Sequence, residues 1–116
     1  MTESVDIAKL YFDLSNNSDF EGIKKLFTDT TQYVSQNTGL HTGRTKIMEM
    51  QRVFHAKFAN LHWHVNNIQE VRRGVILVDY DFTGVTSGGE KVETSGFEYV
   101  TVQDDKIVKI EIKNKS

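Results

Sequence analysis

The chain from residue 61 to residue 113 reads LHWHVNNIQEVRRGVILVDYDFTGVTSGGEKVETSGFEYVTVQDDKIVKIEIK. β-Branched and aromatic residues, which favour strands, dominate this stretch, and short polar segments that contain glycine or aspartate interrupt it. Such short polar segments close β-hairpins, so this stretch predicts consecutive antiparallel strands. The predicted strands are 61–71, 75–85, 91–102 and 106–113.

Alternation along these strands predicts which faces are covered. In the last strand Val108, Ile110 and Ile112 alternate with charged residues, so one face meets the core and the other meets solvent. Residues 75–78 and 97–102 read as apolar on both faces, so both faces of the sheet need a cover there. Helices cover one face, and a second copy of the chain is the simplest cover for the other. We therefore predict a homodimer through the outer face of the sheet.

The first half of the chain has helical periodicity instead. Apolar residues recur at spacings of three and four from Ser4 to Leu14, which predicts a helix with one face in the core. Ser18 and Glu21 have the spacing of a capping box, which predicts a short second helix that runs to Phe27. Residues 31–36 predict a short strand, residues 37–43 a polar loop, and residues 44–59 a third helix.

Length and composition restrict the class of protein. A chain of 116 residues predicts one domain, residues 1–116, and a formal net charge of −2 without a basic face argues against nucleic acid as a partner. Disulfides, zinc–thiolate sites and thiol nucleophiles are excluded because there is no cysteine. No window has the apolar length of a signal core or a membrane span, so we expect a soluble, cytoplasmic protein without a membrane partner.

Several short motifs in this order resemble those of a known superfamily. They are YFDL at 11–14, SDFEGI at 18–23, LFTD at 26–29, and Gly39 and Gly43 ahead of a helix. With the all-β remainder, the pattern resembles the nuclear-transport-factor-2-like superfamily and, within it, the SnoaL-like proteins. The resemblance covers essentially the whole chain. It implies an α+β fold, a cone-shaped cup of three N-terminal helices packed on a strongly curved antiparallel sheet.

The same resemblance implies only part of any one active site. The superfamily contains ketosteroid isomerases, polyketide cyclases, epoxide hydrolases, dehydratases and binding proteins without activity. Tyr11 falls where ketosteroid isomerases place an oxyanion-binding tyrosine, but their general-base aspartate falls at about Ser35 and their second oxyanion donor near Phe97. The Arg-x-Asp pair of limonene epoxide hydrolases becomes Asp79-x-Asp81. Each of these residue sets is therefore incomplete.

Asp79 and Asp81 are candidates for acid–base chemistry because they share a strand face with Val75 and Leu77. If that face lines the cup, desolvation and mutual repulsion raise the pKa of one carboxyl and make it a usable acid or base. If that face meets water, the two residues are ordinary surface charges. We predict that Asp81 lines the cavity together with Tyr11.

His62 and His64 also share a strand face, with their side chains roughly 7 Å apart along the strand. Paired imidazoles occur over the substrate of scytalone dehydratase, another member of the superfamily, so we expect one of them beside Asp81. The alternative is a pair of solvent-facing rings. Two ligands are too few for a metal site, and none is predicted. The further candidates for ligand contact are Tyr33, Phe54, Asp79 and Tyr99.

These features predict a protein that binds a small hydrophobic or cyclic molecule. If it is an enzyme, the chemistry is cofactor-independent acid–base isomerisation, dehydration or cyclisation, with Tyr11 on a developing oxyanion and Asp81 or a histidine moving the proton. The alternative is a non-catalytic ligand-binding or dimerisation module with the same fold. Gly88 and Gly89 lie in a predicted hairpin, so they do not indicate a phosphate-binding loop.

Overall fold

The computed structural model describes residues 3–115. Its helices are α1 (Ser4–Asn16), α2 (Phe20–Leu26) and α3 (Arg44–Ala56). Its strands are β1 (Phe27–Ser35), β2 (Gly39–Thr42), β3 (Phe58–Arg72), β4 (Val75–Thr86), β5 (Lys91–Gln103) and β6 (Lys106–Asn114). Within residues 3–115, no helix has both the length and the apolar character needed to cross a bilayer.

The strands form one sheet in the order β2-β1-β6-β5-β4-β3. Strands β3 to β6 are joined by hairpins and pair antiparallel, as predicted. The α+β fold of three helices on one sheet is confirmed, but β1 pairs with β6 in parallel, so the sheet is mixed. The expectation of a wholly antiparallel sheet is wrong here: no hairpin joins these two strands, so hairpin signals in the sequence do not fix their relative direction.

Two local predictions in the first half are wrong. Ser18 adopts a left-handed backbone conformation, with φ of 51°, and it is Asp19 that caps α2 by accepting a hydrogen bond from the amide of Gly22 at 3.0 Å. The tight turn before α2 moves the cap by one residue. The segment Gly39–Thr42, predicted as part of a loop, pairs antiparallel with the end of β1.

The helices cover one face of the sheet, which we call the inner face. On β4 this face carries Ile76, Val78, Tyr80 and Phe82, all buried. The residues between them, from Val75 to Asp81, point to the opposite, outer face and are partly exposed. Residues of all three helices complete the core against the inner face.

Asn16, the last residue of α1, fastens that helix to strand β3 at the edge of the sheet. Its side-chain carbonyl accepts from the amide of Trp63 at 2.7 Å, and its side-chain amide donates to the Trp63 carbonyl at 3.0 Å. Asn16 thus satisfies backbone groups that an edge strand otherwise leaves open. The contact fixes Trp63 at the wall of the cavity described below.

Candidate functional site

A cavity of about 500 Å³ lies between the helices and the inner face of the sheet. This volume falls within the range of small-molecule sites. Aromatic residues make up about a third of its lining. The aromatic residues that line it are Tyr11, Phe12, Tyr33, Phe54, Phe58, Trp63, Tyr80 and Phe82.

Tyr11 and Gln51 form a buried polar pair in this wall. The side-chain amide of Gln51, on α3, donates a hydrogen bond to the phenol oxygen of Tyr11, on α1, at 2.8 Å. Because the phenol oxygen accepts this bond, the phenol proton is left to donate elsewhere. The side-chain oxygen of Gln51, Oε1, is buried and has no hydrogen-bond partner among the described residues.

Glu98 supplies the acidic group of the cavity. It stands on the inner face of β5, only 4% exposed, and its Oε2 atom has no hydrogen-bond partner within residues 3–115. Burial raises the pKa of Glu98 to about 8, because the charged carboxylate loses its hydration there. At neutral pH the carboxyl is therefore mostly protonated, and it is poised to exchange its proton near that pH.

The neighbouring phenols remain neutral. Burial, and then the proximity of Glu98, raise the pKa of Tyr11 well above its ordinary value. The pKa of Tyr33 is raised by burial and by the proximity of Tyr11 and Glu98, and that of Tyr80 by burial and Glu98. Glu98 and three tyrosines thus share one region of low dielectric constant.

His55 lies at another part of the wall, near the end of α3. Its Nδ1 atom is 2.9 Å from the hydroxyl of Ser18, and its ring packs against Phe20 and Trp63 with centroid distances of 4.9 and 5.4 Å. Partial burial lowers the pKa of His55, so the ring is neutral at neutral pH.

Three of the residues that the sequence nominated line this cavity: Tyr11, Tyr33 and Phe54. The structure brings Tyr11 together with Gln51 and Glu98, which the sequence reading did not nominate. Alternation could have found Glu98, because it shares its strand face with Val100 and Val102. An acidic residue among the apolar residues of one strand face indicates a buried carboxyl and hence a candidate site residue.

Asp79 and Asp81 lie on the outer face of β4, so the expectation that Asp81 meets Tyr11 in the cavity is wrong. The helices pack on the face of Tyr80 and Phe82, and alternation then directs both aspartates away. A hydrogen bond donated by the Ser95 hydroxyl at 2.6 Å is the main cause that lowers the pKa of Asp81. This shift is opposite to the predicted one.

The other nominated residues also lie on the outer side. Lys115 donates to Asp79 at 2.5 Å, and this bond is the main cause that lowers the pKa of Asp79. His62 and His64 are exposed, and His64 pairs in register with Asp81. Tyr99 lies away from the cavity, with the Lys113 ammonium 5.6 Å from its ring centroid.

Comparison with known proteins agrees with this architecture. The sequence profile of the SnoaL-like domain matches residues 8–110. A search among curated proteins found no match by sequence. The structural similarities below are at low sequence identity, so they concern the fold alone.

Three solved structures illustrate the similarity. A protein from Jannaschia described as a SnoaL-like polyketide cyclase has a TM-score of 0.85 at 15% identity, over 97% of this chain and 85% of the other. An epoxide hydrolase of the limonene type from M. tuberculosis gives 0.85 at 12% identity, over 97% and 82%. A protein with a ketosteroid isomerase-like fold from Catenulispora acidiphila, crystallised with trimethylamine, gives 0.84 at 14% identity, over 94% and 85%.

Proposed function

Since the chain belongs to the SnoaL-like domain family, we propose that it binds a small hydrophobic or cyclic molecule in the cavity. The observation that carries this proposal is the composition of the wall, where aromatic rings lie beside a buried polar cluster of Tyr11, Gln51 and Glu98. Sites for small molecules have this composition, with an apolar lining and a few polar groups that fix orientation. The polar cluster receives the polar group of the ligand.

A structural neighbour supports the proposal indirectly. The similarly folded protein from Catenulispora acidiphila was crystallised with a small molecule, trimethylamine. Asp81, His62 and His64 are not part of the proposed site, because they lie on the outer side of the sheet.

Acid–base catalysis is the second candidate function, and the pKa of Glu98 favours it. A carboxyl with a pKa of about 8 can give and take a proton near neutral pH, which is the property of a general acid or base. The proton of Tyr11 is available to stabilise an oxyanion, because Gln51 already donates to the phenol oxygen. The reaction would be a cofactor-independent isomerisation, dehydration or cyclisation.

We also propose that two copies of the chain pair through the outer face of the sheet. Val75, Leu77, Phe97 and Tyr99 lie there on adjacent strands and are only partly buried. An apolar patch across neighbouring strands is a common site of association.

Binding can be followed through Trp63, the one tryptophan of the chain and a residue of the cavity wall. Titration with decalin, decalol and decalone, which share a saturated bicyclic body, should change the Trp63 emission saturably. Thr94→Phe adds bulk at an exposed position of the wall and should weaken binding at least tenfold. Thr83→Phe, exposed and outside the wall, is the control. Equal binding by both variants would contradict the proposed location.

Catalysis has a separate test. In heavy water, an acid–base site for carbon acids should accelerate exchange of the α-hydrogens of decalone, which NMR follows directly. Glu98→Gln should abolish the acceleration, because the amide cannot take up the proton. Binding without accelerated exchange would favour the plain binding protein.

A further inference from the structure

We propose that the cavity accepts a cationic nitrogen, as a protonated amine or a quaternary ammonium group, which sits against Glu98 beside Tyr11, Tyr33 and Tyr80. This inference rests on the proposed function, because it names the polar group of the molecule that the cavity binds. The hydrophobic remainder of that molecule occupies the aromatic part of the wall.

Glu98 has no counter-ion among the described residues. In the described part of the chain, ion pairs join Arg44 to Asp29, Arg52 to Glu21 and Lys115 to Asp79, and none includes Glu98. No other carboxyl lines the cavity as the structure describes it.

Lys115 also borders the cavity but does not neutralise Glu98. Its ammonium is bonded to Asp79 and lies 5.1 Å from the ring centroid of Phe97. Both of these partners belong to the outer face. The cavity thus offers one negative charge, once Glu98 ionises, and leaves a ligand to balance it.

Aromatic residues line the cavity together with this carboxyl. Tyr11, Tyr33 and Tyr80 all line the cavity, and each lies close enough to Glu98 for the carboxyl to contribute to its raised pKa. The faces of aromatic rings carry partial negative charge and attract ammonium groups. Once the carboxyl is ionised, these rings therefore add to its attraction for a cation.

Binding of a cation must be linked to the ionisation of Glu98. In the free protein the Glu98 carboxyl is mostly protonated below pH 8. A bound cation favours the ionised carboxylate, so binding releases a proton and becomes stronger as the pH rises to about 8. Of the other groups that line the cavity, Tyr11, Tyr33 and Tyr80 stay neutral because their pKa values are raised, and partial burial lowers the pKa of His55, which lies at another part of the wall.

The test compares phenyltrimethylammonium with tert-butylbenzene, which has the same shape but carbon in place of the charged nitrogen. At pH 8 the wild type should bind the cation at least tenfold more tightly. Because the quaternary nitrogen carries no proton, its affinity should fall at least tenfold between pH 8 and pH 6 as Glu98 takes up a proton. Glu98→Gln should lose most of this preference and keep only what the tyrosine rings supply, whereas Glu93→Gln, which removes an exposed carboxyl from the same strand, should keep it in full.

The outcomes separate this inference from the function on which it rests. Equal affinity of the wild type for both ligands, or a preference that Glu98→Gln leaves undiminished, would overturn the inference while leaving cavity binding intact. Failure of both ligands to bind would contradict the proposed function, and the inference with it. Calorimetry of the wild type in buffers of different ionisation enthalpy needs no variant, and it should show release of nearly one proton per cation bound at pH 7. No proton release would also overturn the inference.

Discussion

Glu98 stands on the inner face of β5, where burial raises its pKa to about 8 from an ordinary value of 4.5. In the unfolded chain this carboxyl ionises near pH 4.5, so its favourable contribution to stability is complete below that pH and is lost as the pH rises to about 8. Glu98→Gln should therefore be more stable than the wild type at pH 8.5, by on the order of a few kcal/mol, with the difference shrinking towards pH 4.5. Urea unfolding at both pH values measures this difference. Glu93→Gln, which removes an exposed carboxyl from the same strand, is the matched control, and a constant difference for Glu98→Gln would count against a buried acid.

Among the residues of the polar cluster, the sequence predicted Tyr11 but not Glu98. Tyr11 was identified through the resemblance, whereas residues 97–102 were read as apolar on both faces, which passed over the one acidic residue among them. The choice between Asp81 and Tyr80 for the cavity depends on which face the helices cover. Tertiary packing decides which face is covered, and the alternation of residues along the strand looks the same in either case.

Among the elements, strands β4 and β6 come close to strand β5 at Gly96. A Cβ atom at this position would lie 2.7 Å from the Tyr80 hydroxyl and 2.9 Å from the backbone oxygen of Lys113. Gly96→Ala should therefore displace Tyr80 or strand β6 and cost about 1–3 kcal/mol. Gly88→Ala, where the nearest atom would be 3.9 Å away, should cost less than about 1 kcal/mol. Urea midpoints of the two variants provide the comparison, and equal midpoints would contradict the steric argument.

The elements themselves were largely predictable. The predicted strands agree with β3 to β6 to within a few residues, because hairpin signals and β-branched residues are both local in the sequence. The parallel pairing of β1 with β6 was not predictable in this way, because it joins residues about 80 positions apart. The cap at Asp19 was missed because the left-handed turn at Ser18, whose hydroxyl lies 2.9 Å from His55 Nδ1, moves the cap by one residue.

For the whole molecule, the outer face of the sheet predicts a dimer. Light scattering at micromolar concentration should give twice the chain mass of 13.3 kDa. Leu77→Glu places a charge within the proposed interface and should give a monomer that still binds ligand in the cavity. Val53→Glu, at an exposed apolar position on α3, should remain dimeric. A monomeric wild type would contradict pairing through this face.

The central claim is that a neutral, buried carboxyl at Glu98 equips the cavity for its ligand. NMR titration of the side-chain carboxyl carbons, with Glu98 assigned through Glu98→Gln, tests this claim most directly. The predicted result is a midpoint for Glu98 near pH 8 in the free protein. The contradicting result is a midpoint near the ordinary glutamate value of about 4.3, which would mean a solvated carboxylate and no buried acid in the site.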